Sequence, residues 1–336
     1  MLYEIKRYFE ENRIPKFRVK QLENAIFKEM KSSFEEVTTF PKRLREDLFE
    51  RFNFDCLLEV KREESSDSYK FVFKTLDGNF VESVLMFHED GRRTLCVSSQ
   101  IFCPLNCKFC ATGANKFRRN LSYEEIIWQV LLVNRFLKDK GESVTNVVFM
   151  GMGEPFLNYE NVISSIKMLN DEKYFGIGAR HIVVSTVGIV DKIYEFADIG
   201  LQVRLAISLH ASNDELRDYL MPINKKYNIS KLLDATSYFS DKTNKRVTFE
   251  YVLIKDVNDS SKNARELGGL LKDKLAFVNL LIYNPHEFIE FERPDKKRVN
   301  EFKEILESFG VECSIRKSLG DDISGACGQL SAREGE

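Results

Sequence analysis

Three rhythms of apolar and polar residues succeed one another along the chain. Up to about residue 55, apolar positions recur every three or four residues in "LYEIKRYFEEN", "RVKQLENAIFKEM" and "LREDLFERF", with Pro15 and Pro41 between them. That spacing predicts short helices. Residues 57–87, "LLEVKREESSDSYKFVFKTLDGNFVESVLMF", change to alternating strand-like runs joined by Asp77-Gly78. That dipeptide signals a hairpin, because both residues tolerate the positive φ of a tight turn. From residue 94 the runs are short and continuously apolar: "TLCVSSQ", "NVVFMG", "HIVVSTVG", "VRLAISLH", "RVTFEYVLI" and "AFVNLLIYN". Helical patterns separate them, including 121–138, 158–170, 229–240, 260–273 and 296–309.

Continuously apolar strands alternating with helices imply a parallel sheet covered by those helices. The expected fold is therefore α/β. Residues 91–336 form an incomplete (β/α)6 barrel, and residues 1–90 form a small accessory domain of helices followed by a β-hairpin. Reactive residues of such a barrel belong at the C-terminal ends of its strands. The unusual residues do fall there: a cysteine loop after "TLCVSSQ", "GMGEP" after "NVVFM", Ser185 in "VVSTVG", "SLH" ending the fourth run and Asn284 after the sixth.

Composition narrows the setting. The 336 residues are 43% hydrophobic and 30% charged, with a net charge of −2. No apolar run approaches the ~20 residues of a membrane helix, and the charged N-terminus is unlike a signal peptide. A cytoplasmic protein with no membrane partner is expected. The near-neutral charge announces no nucleic-acid partner, so any RNA site must be a local basic patch. Seven cysteines in a chain of this length are not a disulfide scaffold, and four of them, Cys96, Cys103, Cys107 and Cys110, share one short segment. That clustering points to metal or redox chemistry.

The loop "FCPLNCKFC" places Cys103, Cys107 and Cys110 at C-x3-C-x2-C spacing with no fourth cysteine nearby. Three thiolates can hold three irons of a [4Fe–4S] cluster and leave the fourth iron open to an amino acid's amino and carboxylate groups. This spacing is the signature of radical S-adenosylmethionine (SAM) enzymes. The alternative is a zinc site completed by a distant ligand, whose usual sequence is two C-x2-C pairs. In "MGMGEP" the glycines allow close approach of a ligand, and Glu154 can accept its ammonium group. Near the C-terminus, Cys327 in "DDISGACGQL" sits among small residues, as suits a thiol that must be approached closely. Cys56 and Cys313 read as packed cysteines.

These features together resemble the RlmN family of radical SAM RNA methyltransferases. The matching stretches include "CPLNCKFCATG", "FRRNLSYEEI", "VVFMGMGEPFLN", "RLAISLHASND", "LMPINKKYNI", "FEYVLI" and "DDISGACGQL", in order, from about residue 80 to 330. The resemblance implies methylation of C2 of an adenosine in 23S rRNA and of an adenosine in certain tRNAs. It implies a [4Fe–4S] cluster on Cys103, Cys107 and Cys110, and SAM used twice per turnover. One SAM methylates Cys327, and a second yields the radical that takes hydrogen from that methyl group. The carbon then adds to the base, and Cys96 releases the product through a transient disulfide. It assigns Glu82 as proton acceptor and Gly153, Glu154, Ser185, Ser208, Leu209, His210 and Asn284 as SAM contacts. A monomer fed by a reductase or flavodoxin-type electron donor is expected. Lys108, Lys116, Arg118, Arg119, Arg316 and Lys317 are candidate phosphate contacts. The chain departs from the family pattern at "ANKF", before Phe117, and in the loop "NPHEFIEFERPD". The competing readings are the sister Cfr-type enzymes, which methylate C8, and a non-catalytic metal-stabilised RNA-binding module.

Overall fold

The computed structural model describes residues 1–288 and 290–331. Residue 289, within the atypical loop, and residues 332–336, at the end of the expected barrel segment, lie outside the described residues. Three helices come first: α1 (Leu2–Glu11), α2 (Phe17–Phe27) and α3 (Lys42–Arg51). The antiparallel strands β1 (Leu57–Glu64), β2 (Ser68–Thr75) and β3 (Phe80–Phe87) follow. Gly78, at φ +85°, makes the expected turn between β2 and β3.

All six expected parallel strands form. They are β4 (Arg93–Cys96), β7 (Asn146–Phe149), β8 (Ile182–Thr186), β9 (Arg204–Ser208), β10 (Val247–Leu253) and β11 (Ala276–Ile282). The pair β5 (Gln100–Ile101) and β6 (Arg119–Asn120) stands apart and closes the root of the cysteine loop. The helices are α4 (Tyr123–Lys138), α5 (Tyr159–Asn170), α6 (Val190–Asp198), α7 (Asp214–Leu220), α8 (Ile229–Thr243), α9 (Ser261–Leu271) and α10 (Lys296–Ser308). Polar side chains fix where several begin: Ser122 and Glu125 form a capping box on α4, Asn213 caps α7 and Asp295 caps α10.

A seventh parallel strand, β12 (Cys313–Arg316), was not foreseen. Its four residues carry no apolar run, because they sit half-buried at the sheet edge. Helices α6 and α7 also escaped notice, having only nine and seven residues.

The sheet order is β1-β2-β3-β4-β7-β8-β9-β10-β11-β12, and no ladder joins β12 back to β1 among the described residues. The barrel is therefore open. The antiparallel strands continue the same ladder, with Val84 of β3 opposite Cys96 of β4. The N-terminal helices join the same core: Leu2, Ile5, Phe9 and Phe27 belong to one apolar cluster with the barrel residues. Phe27 meets Trp128 edge-on at 5.9 Å, and the Trp128 indole N–H donates to Asp55 at 2.9 Å. No helix among the described residues is long and apolar enough to cross a membrane.

Candidate active site

The cysteine loop hangs from the β5–β6 pair. It is docked on both sides: Lys108 N–H donates to Leu220 O at 2.9 Å, and Ala111 N–H to Gly328 O at 2.8 Å. The loop's own turn is tight enough that a Cβ on Gly113 would stand 3.3 Å from Asn106 Cα and Cys107 N. Cys103, Cys107 and Cys110 all line one cavity of about 160 Å³. Burial pushes the Cys103 thiol up to about 12 and raises Cys107 as well. Among the described residues, no three Cys, His, Asp or Glu side chains converge as ligands of a single metal ion. Three thiols on one cavity wall are a donor set that suits an iron–sulfur cluster, which takes each thiolate at a separate iron.

Strand ends form the rest of this cavity wall. Gly153, at φ +98°, passes so close to Gln100 that a Cβ would lie 2.5 Å from Gln100 Cβ. Gln100 Oε1 in turn accepts the Glu154 N–H at 2.8 Å. Glu154 is buried, with its carboxylate accepting from Phe156 N–H at 2.9 Å and Val187 N–H at 2.8 Å. Burial outweighs those bonds and pushes its pKa up to about 7. His210, at φ +54°, accepts the Val252 N–H on Nδ1 at 3.0 Å, so its neutral ring carries the proton on Nε2. Burial lowers its pKa to about 3, and the Phe109 ring lies edge-on to it at 4.6 Å. Fully buried Asn258 clamps this corner, donating to His210 O at 2.9 Å and Val252 O at 2.6 Å. Ser185 and Ser208 face each other at 3.4 Å. Asn284 donates to Cys327 O at 3.2 Å, and its own oxygen accepts from Arg293 at 3.3 Å and Ser318 at 3.1 Å. Leu209 is fully buried, off the cavity wall.

Cys327 stands where this cavity meets a larger cleft of about 1180 Å³, which Cys96 also lines. Cys327 is exposed to solvent. It nonetheless sits at the base of the cleft with protein around it, and this enclosure raises its pKa. Buried Cys96 is pushed up to about 12, first by burial and then by its neighbour Cys327. Arg316 lines both spaces. Burial opposes its charge, but Cys327, Glu250 and Cys96 together raise its pKa. Buried Glu250 accepts from Asn279 at 2.9 Å on one oxygen, and its other oxygen has no partner among the described residues.

The structure does not bring Glu82 into either space. It is buried on β3 and lines a third cavity of about 310 Å³. Its carboxylate accepts the Ser331 N–H at 2.8 Å and lies 3.7 Å from Lys70 Nζ. The basic candidates also separate. Arg119 is committed to Asp77 at 2.7 Å and Glu125 at 2.8 Å. Lys108 lies over the Tyr219 ring at 3.7 Å. Lys116, Arg118 and Lys317 are exposed, whereas Arg316 turns inward to the thiols. Sequence reading gave no role to Glu250, Phe109 or Arg217. Phe109 lies inside the cysteine motif and Glu250 inside the "FEYVLI" match, but neither residue type signals a role there, and Arg217 stands in an ordinary charged run.

Comparison with known proteins agrees with this geometry. Residues 97–267 match the radical SAM superfamily. The chain is 45% identical over 318 residues to a protein of Dictyoglomus thermophilum named "Probable dual-specificity RNA methyltransferase RlmN", covering 95% of this chain and 91% of that one. A protein of the same name from Thermosipho melanesiensis is 46% identical over 333 residues, covering 98% of this chain and 96% of that one. The crystal structure of a radical SAM methyltransferase from Sphaerobacter thermophilus superposes with a TM-score of 0.95 at 41% identity, covering 99% of this chain and 98% of that one.

Proposed function

The chain belongs to the RlmN family of the radical SAM superfamily, and from that footing we propose that it methylates C2 of an adenosine in 23S rRNA and of an adenosine in certain tRNAs. One observation carries the reading. Three loop cysteines, the strand-end polar residues and Cys327 share a single cavity, and Cys96 waits in the adjoining cleft.

Cys103, Cys107 and Cys110 are the residues to hold the [4Fe–4S] cluster. When bound, cluster and SAM supply a methyl group and a carbon-centred radical. Glu154 receives the ammonium group of SAM, and a cation beside it favours the charged carboxylate that burial alone disfavours. Gly153 lets the ligand lie against the backbone. Ser185, Ser208, His210 and Asn284 offer polar contacts around it, with Leu209 packed beneath. His210 presents an Nε2–H donor, since its Nδ1 is occupied. Cys327 carries the transferred carbon as a thioether. Cys96 sulfur then bonds to Cys327 sulfur as the Cys327–carbon bond breaks. The electron pair of that bond leaves with the carbon, which gains a proton, and the disulfide must be reduced before the next turnover.

Glu82 is the proton acceptor in this account. Its support is register: it precedes Val84 by two residues on the same face of β3, and Val84 pairs with Cys96. To act, its carboxylate must first be released by Ser331. The RNA enters by the large cleft, whose rim includes Ser66, Asp67 and His88 of the N-terminal 90 residues and Lys317. The electron donor is a reductase or flavodoxin-type protein.

Digestion to nucleosides of RNA treated with the enzyme, SAM and reductant tests the reading. It predicts 2-methyladenosine, dependent on Cys327. The 8-methyl isomer would assign the chain to Cfr-type chemistry, and unmodified RNA with a colourless protein would favour the binding module.

A further inference from the structure

Arg217 is fully buried. Its guanidinium donates to the carbonyls of Val187 at 2.6 Å, Leu209 at 3.2 Å, Ser208 at 3.3 Å and Tyr227 at 3.2 Å, and to Asn224 Oδ1 at 3.0 Å. All five acceptors are neutral. The helix of Arg217 carries three carboxylates, Asp214, Glu215 and Asp218, and none of them accepts a hydrogen bond from it among the described residues. Asp214 accepts from Ile229 N–H at 2.9 Å and Asn224 at 3.1 Å, and Asp218 accepts from Asn224 at 2.8 Å. A buried cation satisfied only by neutral oxygens is expensive to keep without an anion nearby.

Its surroundings say where that anion belongs. Val187 and Ser208, whose carbonyls it holds, line the cysteine cavity. The carbonyl of Leu220, one turn along α7, accepts the Lys108 N–H of the cysteine loop at 2.9 Å. Leu216, Leu220 and Met221 pack in one apolar cluster with Cys107 and Phe109. Burial lowers the pKa of Arg217 to about 10, so it stays charged at neutral pH; Cys107 counters that lowering most, followed by Asp214 and Asp218 of its own helix.

We propose that Arg217 is the built-in counter-charge of the iron–sulfur cluster, a positioning residue that raises the cluster's reduction potential while tying two strand ends together. The proposal rests on the cluster reading of the cysteine loop. Three thiolates leave such a cluster net negative, and reduction adds one more electron. A fixed cation in a low-dielectric wall favours that electron, and net charge is one of the levers on cluster potentials. Arginine suits the place because its fork satisfies several carbonyls at once and holds its proton firmly.

The test is an anaerobic redox titration of the reconstituted full chain, followed by electron paramagnetic resonance, alongside iron and sulfide analysis. In Arg217→Met, the ratio of reduced to oxidised cluster at the wild-type midpoint should fall about tenfold or more, a shift of ~59 mV for one electron. An unchanged midpoint with full iron content overturns the proposal. If that variant does not fold, Arg217→Lys decides. A buried lysine sheds its proton more readily than arginine. The Arg217→Lys midpoint should therefore move further below the wild-type value as pH rises from about 6 to 8.5, where Arg217 stays charged, and a constant offset overturns the proposal. A wild-type chain that takes up no iron and sulfide sinks the cluster reading and this proposal together, whereas an unshifted midpoint sinks only the proposal.

Discussion

Gly153→Ala should damage both the stability of the chain and its hold on SAM, and the structure gives the size of the effect. Gly153 has φ +98°, and an added Cβ would lie 2.5 Å from Gln100 Cβ, 2.7 Å from Gln100 Cγ and 2.9 Å from Gln100 N. The backbone conformation alone disfavours alanine by about 1–2 kcal/mol. Forcing a methyl group into a filled space adds about 1–3 kcal/mol. The overlap takes in Gln100 Cβ and the Gln100 backbone nitrogen, neither of which a side-chain swing can move away. Gln100 also accepts the Glu154 N–H, so its displacement unseats the proposed ammonium site. Denaturant unfolding of the apoprotein should show a loss of about 2–5 kcal/mol. SAM binding to the reconstituted protein, followed by calorimetry, should weaken by at least about tenfold, equivalent to ~1.4 kcal/mol. Gly269→Ala is the control. Gly269 lies within α9 with nothing near its would-be Cβ, and alanine there should stabilise by about 0.5–1 kcal/mol. If Gly153→Ala unfolds and binds like wild type, the close approach of this turn to Gln100 is not what shapes the site.

Cys107→Ala should abolish the brown Fe–S absorbance of anaerobically prepared protein, while Cys313→Ser should retain it; colour that survives in Cys107→Ala contradicts the ligand assignment. Asn258→Ala removes the clamp on His210 and Val252 and should destabilise by about 1–3 kcal/mol through the polar groups it strands, measured by urea unfolding. Glu154 gives a pH signature. Its pKa is about 7 in the folded apoprotein against an ordinary 4.5, so between those values the native state holds a proton that the unfolded state has lost. Stability must therefore fall as pH rises through that window, by about 3 kcal/mol at 1.36 kcal/mol per unit. Glu154→Gln should remove that slope from urea midpoints taken at several pH values, and an equal slope in the variant would assign it to other groups.

The parallel strands were legible because each is a continuous Val/Ile/Leu run flanked by helical periodicity. The cysteine spacing was legible because few other chemistries use it. β12 was hidden because an edge strand of Cys, Ser, Ile and Arg lacks that run, and Arg316 at its end read as a candidate phosphate contact. In the fold Arg316 lines the cleft together with Cys96 and Cys327 and the cysteine cavity together with Glu250 and Cys327, a convergence of distant segments that no local pattern encodes. Arg217 was hidden for a related reason. An arginine in "NDELRDYL" looks like the solvated side of a helix, and only the docking of α7 under two strand ends makes it an interior charge. The position of Glu82 escaped in the opposite way: the family match supplied a role, but not that the Ser331 N–H holds its carboxylate.

The account's central claim is that Cys327 carries the carbon delivered to RNA. Mass spectrometry of the Cys327 peptide, from protein produced with its cluster and SAM available, addresses it directly. The account predicts a one-carbon thioether on Cys327 that disappears when RNA and reductant are supplied. A free Cys327 thiol under every such condition, in protein that still methylates RNA, would contradict it.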